Sequence, residues 1–282
     1  MENGVDILMI THKRPQYTKI TLEKLLNSCD EKSRVWIWQN GNYKETLDVV
    51  DSFKGHKNFY RFHHSSKNEK LNTPTNWLWS NAKGDFLGKV DDDCIVPRDW
   101  IKTLLNAHLD NPYFGVIGCW HFLKEDYREE IAAWKIKQFS NGHRLMVNCW
   151  LGGSGYIMKK KCIDLLGPIK KNKSFTSYCI DISLKGFING WYYPFIYQKH
   201  LDDPRVEESL LKTDEDIRKW APLSVINNGV TTLQDWKNHL IYRAHKLQEE
   251  PIDPIRYLKF SKYLSMIYRI YYYKKLRIWN NL

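Results

Sequence analysis

Over the first 120 residues, short apolar runs alternate with segments whose apolar residues recur every three to four positions. "VDILMI" (5–10) has the unbroken apolar pattern of a strand covered on both faces. "PQYTKITLEKLLNS" (15–28) opens on a proline, whose fixed φ suits a helix start, and spaces Ile20, Leu22, Leu25 and Leu26 near-helically. "RVWIWQ" (34–39) reads as a second strand running into "NGN", a turn signal. Helix-like "YKETLDVVDSF" (43–53) and strand-like "NFYRF" (58–62) follow. "TPTNWLWSNA" (73–82) predicts a helix with Thr73 as N-cap and Pro74 at the first helical position. "DFLGKV" (85–90) is a strand, "PRDWIKTLLNAHL" (97–109) a helix and "FGVIGCW" (114–120) another strand. Alternation of this kind predicts an α/β fold, an open and mostly parallel sheet flanked by helices. Residues 205–282 read as helical, so the chain divides into a domain over 1–204 and a helical, basic C-terminal extension over 205–282.

One strand ends in a way that folding alone does not explain. In "GDFLGKVDDDCIVPRDW" (84–100), an apolar run stops at Asp91, Asp92 and Asp93. Adjacent carboxylates repel one another, so either water surrounds them or something positive sits there. They fall just past the carboxyl end of a sheet strand, where open α/β sheets bind ligands. In an extended chain Asp91 and Asp93 point to one side, about 7 Å apart, and Asp92 points away. Hard divalent cations take such oxygens, and Mg²⁺ commonly pairs one or two carboxylates with substrate phosphates. A metal carrying a diphosphate therefore suits the position, although a bare DDD run is in itself most often a solvated turn.

Charge and composition narrow the partner. The net charge is +11, which favours an anionic one. Residues 251–282 hold seven of the basic residues against one acid, Asp253. The basic and aromatic stretch 256–279 suits the anionic inner face of a membrane, but a helix packed on the domain would read the same way. Six cysteines without a CxxC pair suggest reduced thiols and a cytoplasmic setting. The N-terminus lacks the order of a signal peptide, and no apolar run is long enough to span a bilayer.

The succession "ILMITHKRPQYTKITLEKLL", "VWIWQNGN", "NEKLNTPTNWLWSNAKGDFLGKVDDDCIVP" and "WLGGSGYIMKKKCIDLLGP" (150–168) resembles the inverting family-2 glycosyltransferases of the GT-A fold, over roughly residues 5 to 200. The resemblance implies a Rossmann-like GT-A sheet and a divalent metal, Mn²⁺ or Mg²⁺. It also implies transfer of a sugar from a nucleotide-diphosphate donor to a hydroxyl of a glycan or lipid-linked acceptor. Thr11, Arg14, Asn40, Asn76, Asp91 and Asp92 would lie near the donor. Asp93, with Asp91 and His200, would hold the metal. Trp150, Gly152 and Gly153 would line the acceptor side, with Trp120 a second candidate sugar platform. Asn68 and Asn76 match the family's asparagine pair, but Lys70 stands where a glycine is usual, and Gln39-Asn40 replaces the usual acid.

An inverting transfer needs a carboxylate to take the acceptor's proton. The family's acidic segment reads "SYCIDISLKGF" (177–187) here, where Tyr178 and Cys179 replace Glu-Asp and Asp181 survives. Asp181 is therefore the expected base, with Asp202 and Asp203 next in rank. Cys179 lacks a nearby histidine, which argues against a nucleophilic role. Two rivals stay open. A nucleic-acid-binding protein would explain the charge but shows no recognisable motif. A sugar nucleotidyltransferase would need a phosphate-cradling loop, of which "THKRP" is a faint version.

Overall fold

The structure, a computed structural model, describes residues 4–226, 229–258 and 266–267. Eleven strands are formed among them: β1 (Val5–Thr11), β2 (Ser33–Asn40), β3 (Phe59–Ser65), β4 (Phe86–Lys89), β5 (Cys94–Ile95), β6 (Phe114–Gly118), β7 (Ile136–Gln138), β8 (Arg144–Val147), β9 (Tyr156–Lys159), β10 (Ile188–Tyr193) and β11 (Lys199–His200). The helices are α1 (Pro15–Asn27), α2 (Lys44–Ser52), α3 (Asn72–Asn81), α4 (Trp100–Asp110), α5 (Glu129–Ala132), α6 (Lys161–Leu166), α7 (Phe175–Leu184), α8 (Asp214–Trp220), α9 (Leu223–Ile226) and α10 (Leu233–Glu249).

Nine strands build one sheet in the order β3-β2-β1-β4-β9-β6-β10-β8-β7. Only β9 and β8 run against the others, so the sheet is mixed but mostly parallel, as the alternation predicts. β5 and β11 form a separate two-stranded ladder.

The unbroken apolar run of β1 is explained by burial on both faces. Ile7 and Met9 join Leu22, Leu25, Trp100 and Leu104 of α1 and α4 on one side. Leu8 and Ile10 join Trp36, Leu78 and Trp79 on the other, together with Cys179 and Ile182 of α7 and Ala244 and Leu247 of α10. At ~25 cal/mol per Å² of apolar area, such two-sided strands contribute most of the drive to fold.

The expected start of α3 is corrected. The helix begins at Asn72 with Leu71 before it, and Thr73 caps nothing. Pro74 is then the third helical residue, still within the first turn, where a missing N–H costs no intrahelical bond.

Among the described residues after 205, α8, α9 and α10 are formed, and this part is tied to the sheet. Lys135, wholly buried, donates through Nζ to Asn148 Oδ1 at 3.0 Å and to the carbonyls of Leu247 and Glu250 at 3.2 and 3.1 Å. The Gln248 amide donates to the Asp126 carbonyl, and its oxygen accepts from the Arg128 N–H. A small cluster around Leu211, Ile217, Val225, Val230 and Trp236 completes this end. Of the basic stretch 256–279, residues 259–265 and 268–279 lie outside the described residues.

Candidate active site

The site lies where β1 and β4 end side by side. β4 runs parallel to β1, and the Val90 N–H donates to the Leu8 carbonyl at 3.0 Å. The chain then turns, with the Cys94 N–H donating to the Asp91 carbonyl at 3.1 Å. The expectation of an extended Asp91–Asp93 is corrected by this turn, which sets Asp92 and Asp93 inward together, 7% and 8% exposed. β5 next pairs antiparallel with β11, matching Cys94 with His200, and the Leu201 N–H donates to the Asp93 carbonyl at 2.7 Å. Residues more than a hundred positions apart are thereby locked in register.

Two buried cations answer the carboxylates. Arg14 precedes α1 in the left-handed region, at φ 91°, which turns its side chain into the cluster. Its Nη1 donates to both oxygens of Asp202, at 2.6 and 2.8 Å. Its Nη2 reaches Asp93 at 3.1 Å and Asp92 at 3.4 Å. Lys89 pairs with Asp91 and donates to the Gly153 carbonyl at 2.8 Å. Asp91 is the most open of the three aspartates, its side chain 33% exposed. α1 adds Thr21, whose hydroxyl donates to the Asp92 carbonyl at 2.9 Å, and Tyr17, whose hydroxyl donates to the Leu201 carbonyl at 2.8 Å.

Four carboxylates, Asp91, Asp92, Asp93 and Asp202, face two cations, Arg14 and Lys89, which leaves the cluster negative. Burial, only partly offset by Arg14 and reinforced by the neighbouring aspartates, pushes Asp92 up to about 7. Burial also pushes Asp202 up to about 6 against the pull of Arg14, and raises Asp91 despite Lys89. At Asp93 burial opposes ionisation too, but Arg14 and His200 outweigh it and hold the group below the usual carboxylate range. A divalent cation would balance such an excess.

The donor set fits one. Ligand atoms of Asp93, Cys94 and His200 lie within 4.8 Å of one another, and the buried Nδ1 of His200 has no hydrogen-bond partner among the described residues. An imidazole nitrogen and a carboxylate side by side are a ligand pair for a transition metal such as Mn²⁺. Cys94 is the poorer donor, because burial holds its thiol well above the ordinary range.

The remaining predicted residues divide by location. Thr11 is fully buried, and its hydroxyl donates to Gln39 Oε1. Asn40 binds the loop before α3, accepting from the Glu69 N–H at 3.0 Å and donating to the Lys70 carbonyl at 3.2 Å. Lys70 itself has φ 58°, the left-handed backbone that suits the glycine usual at this position. Asn76 exchanges two hydrogen bonds with the backbone of Ile169, both 2.9 Å.

On the other wall, Gly153 meets Lys89 through its carbonyl, and a Cβ on Gly152 would lie 3.0 Å from the His121 ring. Trp150 is half-buried, with its ring 6.5 Å from that of Trp191. Trp120 is not a sugar platform, being wholly buried among Phe122, Tyr127, Trp191 and Phe195. Asp181, on α7, is 33% exposed at its side chain and pairs with Lys173. Cys179 is wholly buried and its thiol is pushed up by burial, which closes the nucleophile question. Asp203 is spent on Arg205, which also forks onto Asp126 at 2.7 and 2.8 Å.

The sequence reading passed over Lys89 and His121. Lys89 could have been found: the two-residue strand period puts it on the side of Asp91. His121 carries no comparable signal, since its partners come from distant segments.

Comparison with known proteins agrees with the fold. A mannosyltransferase from Pyrobaculum calidifontis, solved with GDP-Man and Mn²⁺, superposes with a TM-score of 0.57 at 15% identity, over 100% of this chain and 84% of its own. S. aureus TarS 1-349, solved with UDP-GlcNAc, gives 0.54 at 14% identity, over 70% of this chain and 58% of its own. A glucosyl-dolichyl phosphate glucuronosyltransferase of Haloferax volcanii is 26% identical over 116 residues, which are 40% of this chain and 37% of that protein. Residues 6–163, more than half of the chain and including the whole aspartate turn, match the family model for glycosyl transferase family 2. The chain belongs to that family.

Proposed function

We propose that the protein is an inverting, metal-dependent transferase. It would move a sugar from a nucleotide-diphosphate donor to a hydroxyl of a glycan or lipid-linked acceptor, in surface polysaccharide or glycoconjugate synthesis. The observation that carries the reading is the unbalanced carboxylate cluster at the end of β4, with the unpartnered His200 nitrogen beside it. Asp93 and His200, with Asp91 at the open edge, would hold Mn²⁺ or Mg²⁺, which when bound neutralises the donor's diphosphate. Relatives solved with GDP-Man and UDP-GlcNAc support a nucleotide sugar as the donor class.

The chain's own groups divide the work. Arg14 and Lys89 hold the carboxylates in place and moderate their repulsion. Thr11, Asn40 and Asn76 shape the donor side by fixing its loops. Gly152 and Gly153 keep the other wall thin enough for a sugar to approach, and Trp150 offers it an aromatic face. Asp181 takes the proton from the acceptor hydroxyl as that oxygen attacks the anomeric carbon. Among Asp181, Asp202 and Asp203 it is the carboxylate left open to solvent, the others being 0% and 2% exposed.

No helix among the described residues is long and apolar enough to cross a membrane. The basic stretch 256–279 would meet an anionic membrane surface at the cytoplasmic face, bringing a lipid-linked acceptor within reach. A nucleic-acid backbone is a poor fit, because the acids at the cleft would repel it. The test is a panel of nucleotide sugars with and without Mn²⁺, read by thermal unfolding. A specific donor at 100 times its Kd should stabilise by about 2.7 kcal/mol. A flat response across the panel would sink the reading.

A further inference from the structure

Two loops far apart in sequence are fastened side by side. The first, residues 66–71, joins β3 to α3 and is held by Asn40, which accepts from the Glu69 N–H and donates to the Lys70 carbonyl. The second, residues 167–174, joins α6 to α7. Asn72, at the start of α3, ties them together. Its Nδ2 donates to the Lys173 carbonyl, 101 positions away, at 2.9 Å and reaches the Lys170 carbonyl at 3.4 Å. One turn further along α3, Asn76 exchanges its two hydrogen bonds with the backbone of Ile169. The Lys173 N–H donates to the Lys170 carbonyl at 2.9 Å and closes the second loop into a turn.

Contacts place this second loop at the cleft. Lys173 pairs with Asp181 on α7, the carboxylate read above as the base. Ser174 caps α7, accepting from the Ser177 N–H at 3.1 Å, and the Phe175 ring stacks on that of Tyr156 at 4.4 Å. Tyr156 lies opposite Lys89 in the β4–β9 register, and Lys89 pairs with Asp91. The loop and the first turn of α7 therefore stand next to the aspartate turn, on the side of Asp181.

The two loops bring positive charge together. Residues 66–71 and 167–174 carry five lysines, Lys67, Lys70, Lys170, Lys171 and Lys173, against one acid, Glu69. Among the described residues Lys173 alone of the five has a carboxylate partner, and the other four are exposed. Lys70 holds a left-handed backbone, φ 58°, which glycine takes more readily, so a lysine is kept there at a cost in stability. Scattered surface lysines keep a protein soluble, but these are gathered by a set of asparagine bonds beside Asp181. Like charges so gathered repel one another, and a multiply charged anion relieves the repulsion.

We propose that this lysine rim binds a phosphate group carried by the acceptor, and holds it while the acceptor's hydroxyl reaches Asp181. The proposal rests on the glycosyl-transfer reading above and names the acceptor class, a phosphate-bearing glycan or lipid. The phosphate is bound and not transferred. None of the five lysines bonds to the Asp91–Asp93 turn, where the metal and the donor's diphosphate are expected, so the rim is a second anion site. Ammonium groups suit the task, because a compact charge on a flexible stem meets a phosphate from many directions. A phosphate engages several of them at once, whereas a lone carboxylate would be matched by one.

The experiment uses the full chain freed of metal with EDTA, so that the aspartate turn does not itself collect phosphate. Geranyl phosphate and glucose 6-phosphate are the probes, each titrated calorimetrically against its unphosphorylated parent, geraniol or glucose. A phosphate probe should bind more tightly than its parent, and the more so at low salt. Replacing both exposed lysines, Lys170→Gln with Lys171→Gln, should weaken that binding about tenfold, as for two exposed charge pairs. Lys170→Arg with Lys171→Arg keeps the charge and should keep the binding. Neither pair of changes should alter the affinity for UDP or GDP measured with Mn²⁺. Tighter binding of geranyl phosphate than of glucose 6-phosphate would assign the group to a lipid, and the reverse to a soluble phosphorylated glycan; either supports the proposal. No preference for either phosphate probe over its parent, or equal phosphate affinity in wild type and the glutamine pair, overturns it. So does an equal loss of UDP or GDP affinity, which would move the lysines to the donor's diphosphate. A chain that takes phosphate through these lysines but binds neither UDP nor GDP would keep the rim and lose the transferase reading.

Discussion

The two walls of the cleft are built by opposite rules. On the side proposed for the donor, Arg14, Asp92, Asp93 and Asp202 are almost sealed from solvent, and one guanidinium is shared by three carboxylates. On the side proposed for the acceptor, Asp181, Trp150 and Gly152 are half-buried, and Asp181 pairs with Lys173, itself half-buried. A buried charge without its partner costs several kcal/mol, whereas an exposed pair is worth little. The donor wall should thus be a stability element that also binds, and the acceptor wall a chemical element that stability barely notices.

The sharpest attempt to break this contrast is Arg14→Met. It leaves three buried carboxylates facing one another and should destabilise the metal-free protein by roughly 3–5 kcal/mol. Added Mn²⁺ should restore part of the loss. Chemical denaturation with and without the metal measures both, and a loss below about 1 kcal/mol would mean the cluster is not braced as described.

Asp181→Asn tests the other wall. It keeps the shape and cannot take a proton, so turnover should fall by roughly 10²–10⁴-fold. Donor affinity and thermal midpoint should stay near wild type. Loss of donor affinity together with turnover would move Asp181 to the metal side.

A pH series asks whether buried charge matters beyond the cleft. His108 lies under the sheet, where burial pulls it down to about 3, and its Nε2–H donates to the Ile157 carbonyl at 2.9 Å. A histidine depressed from 6.5 contributes stability that is complete above about pH 6.5 and lost as pH falls toward 3. At pH 5 the loss should reach about 2 kcal/mol. His108→Gln should remove that part of the acid slope, read as the difference between two urea-denaturation series. Identical slopes would show that His108 takes no part in acid unfolding.

The smallest effect is expected from Lys173→Met. The Lys173–Asp181 pair is about one-third exposed on both sides, so its loss should change stability by no more than about 1 kcal/mol. A larger shift in the thermal midpoint would make the acceptor wall as tightly braced as the donor wall.

The same contrast marks what the sequence could reveal. Through β6 most elements declare themselves locally, because a strand buried on both faces must be apolar throughout and a covering helix must carry an apolar stripe; the two-residue β5 does not. The three aspartates are legible for the same reason: they interrupt an apolar strand. After β6 the strands shorten, with β7 only three residues and β8 and β9 four each. So few residues cannot display a period, and β8 and β9 also pair antiparallel with strands far along the chain. The resemblance singles out Arg14, but nothing local marks it as the counter-ion of Asp202, 188 positions away. The Arg205–Asp126 fork, 79 positions apart, left no trace in local pattern either.

The two-residue ladder between β5 and β11 sets a limit on modular engineering. It joins the aspartate turn to His200, and His200 leads through Asp202 into the seat of Trp236. A graft that transplants the stretch matching the family, 6–163, would carry three carboxylates without the strand that pins their turn or the helix that roofs them. Chimeras exchanging acceptor preference with a relative should therefore be cut inside the loop between α6 and α7 only if everything from α7 through α10 travels as one cassette. A junction placed between β11 and α10 would separate parts that must be inherited together.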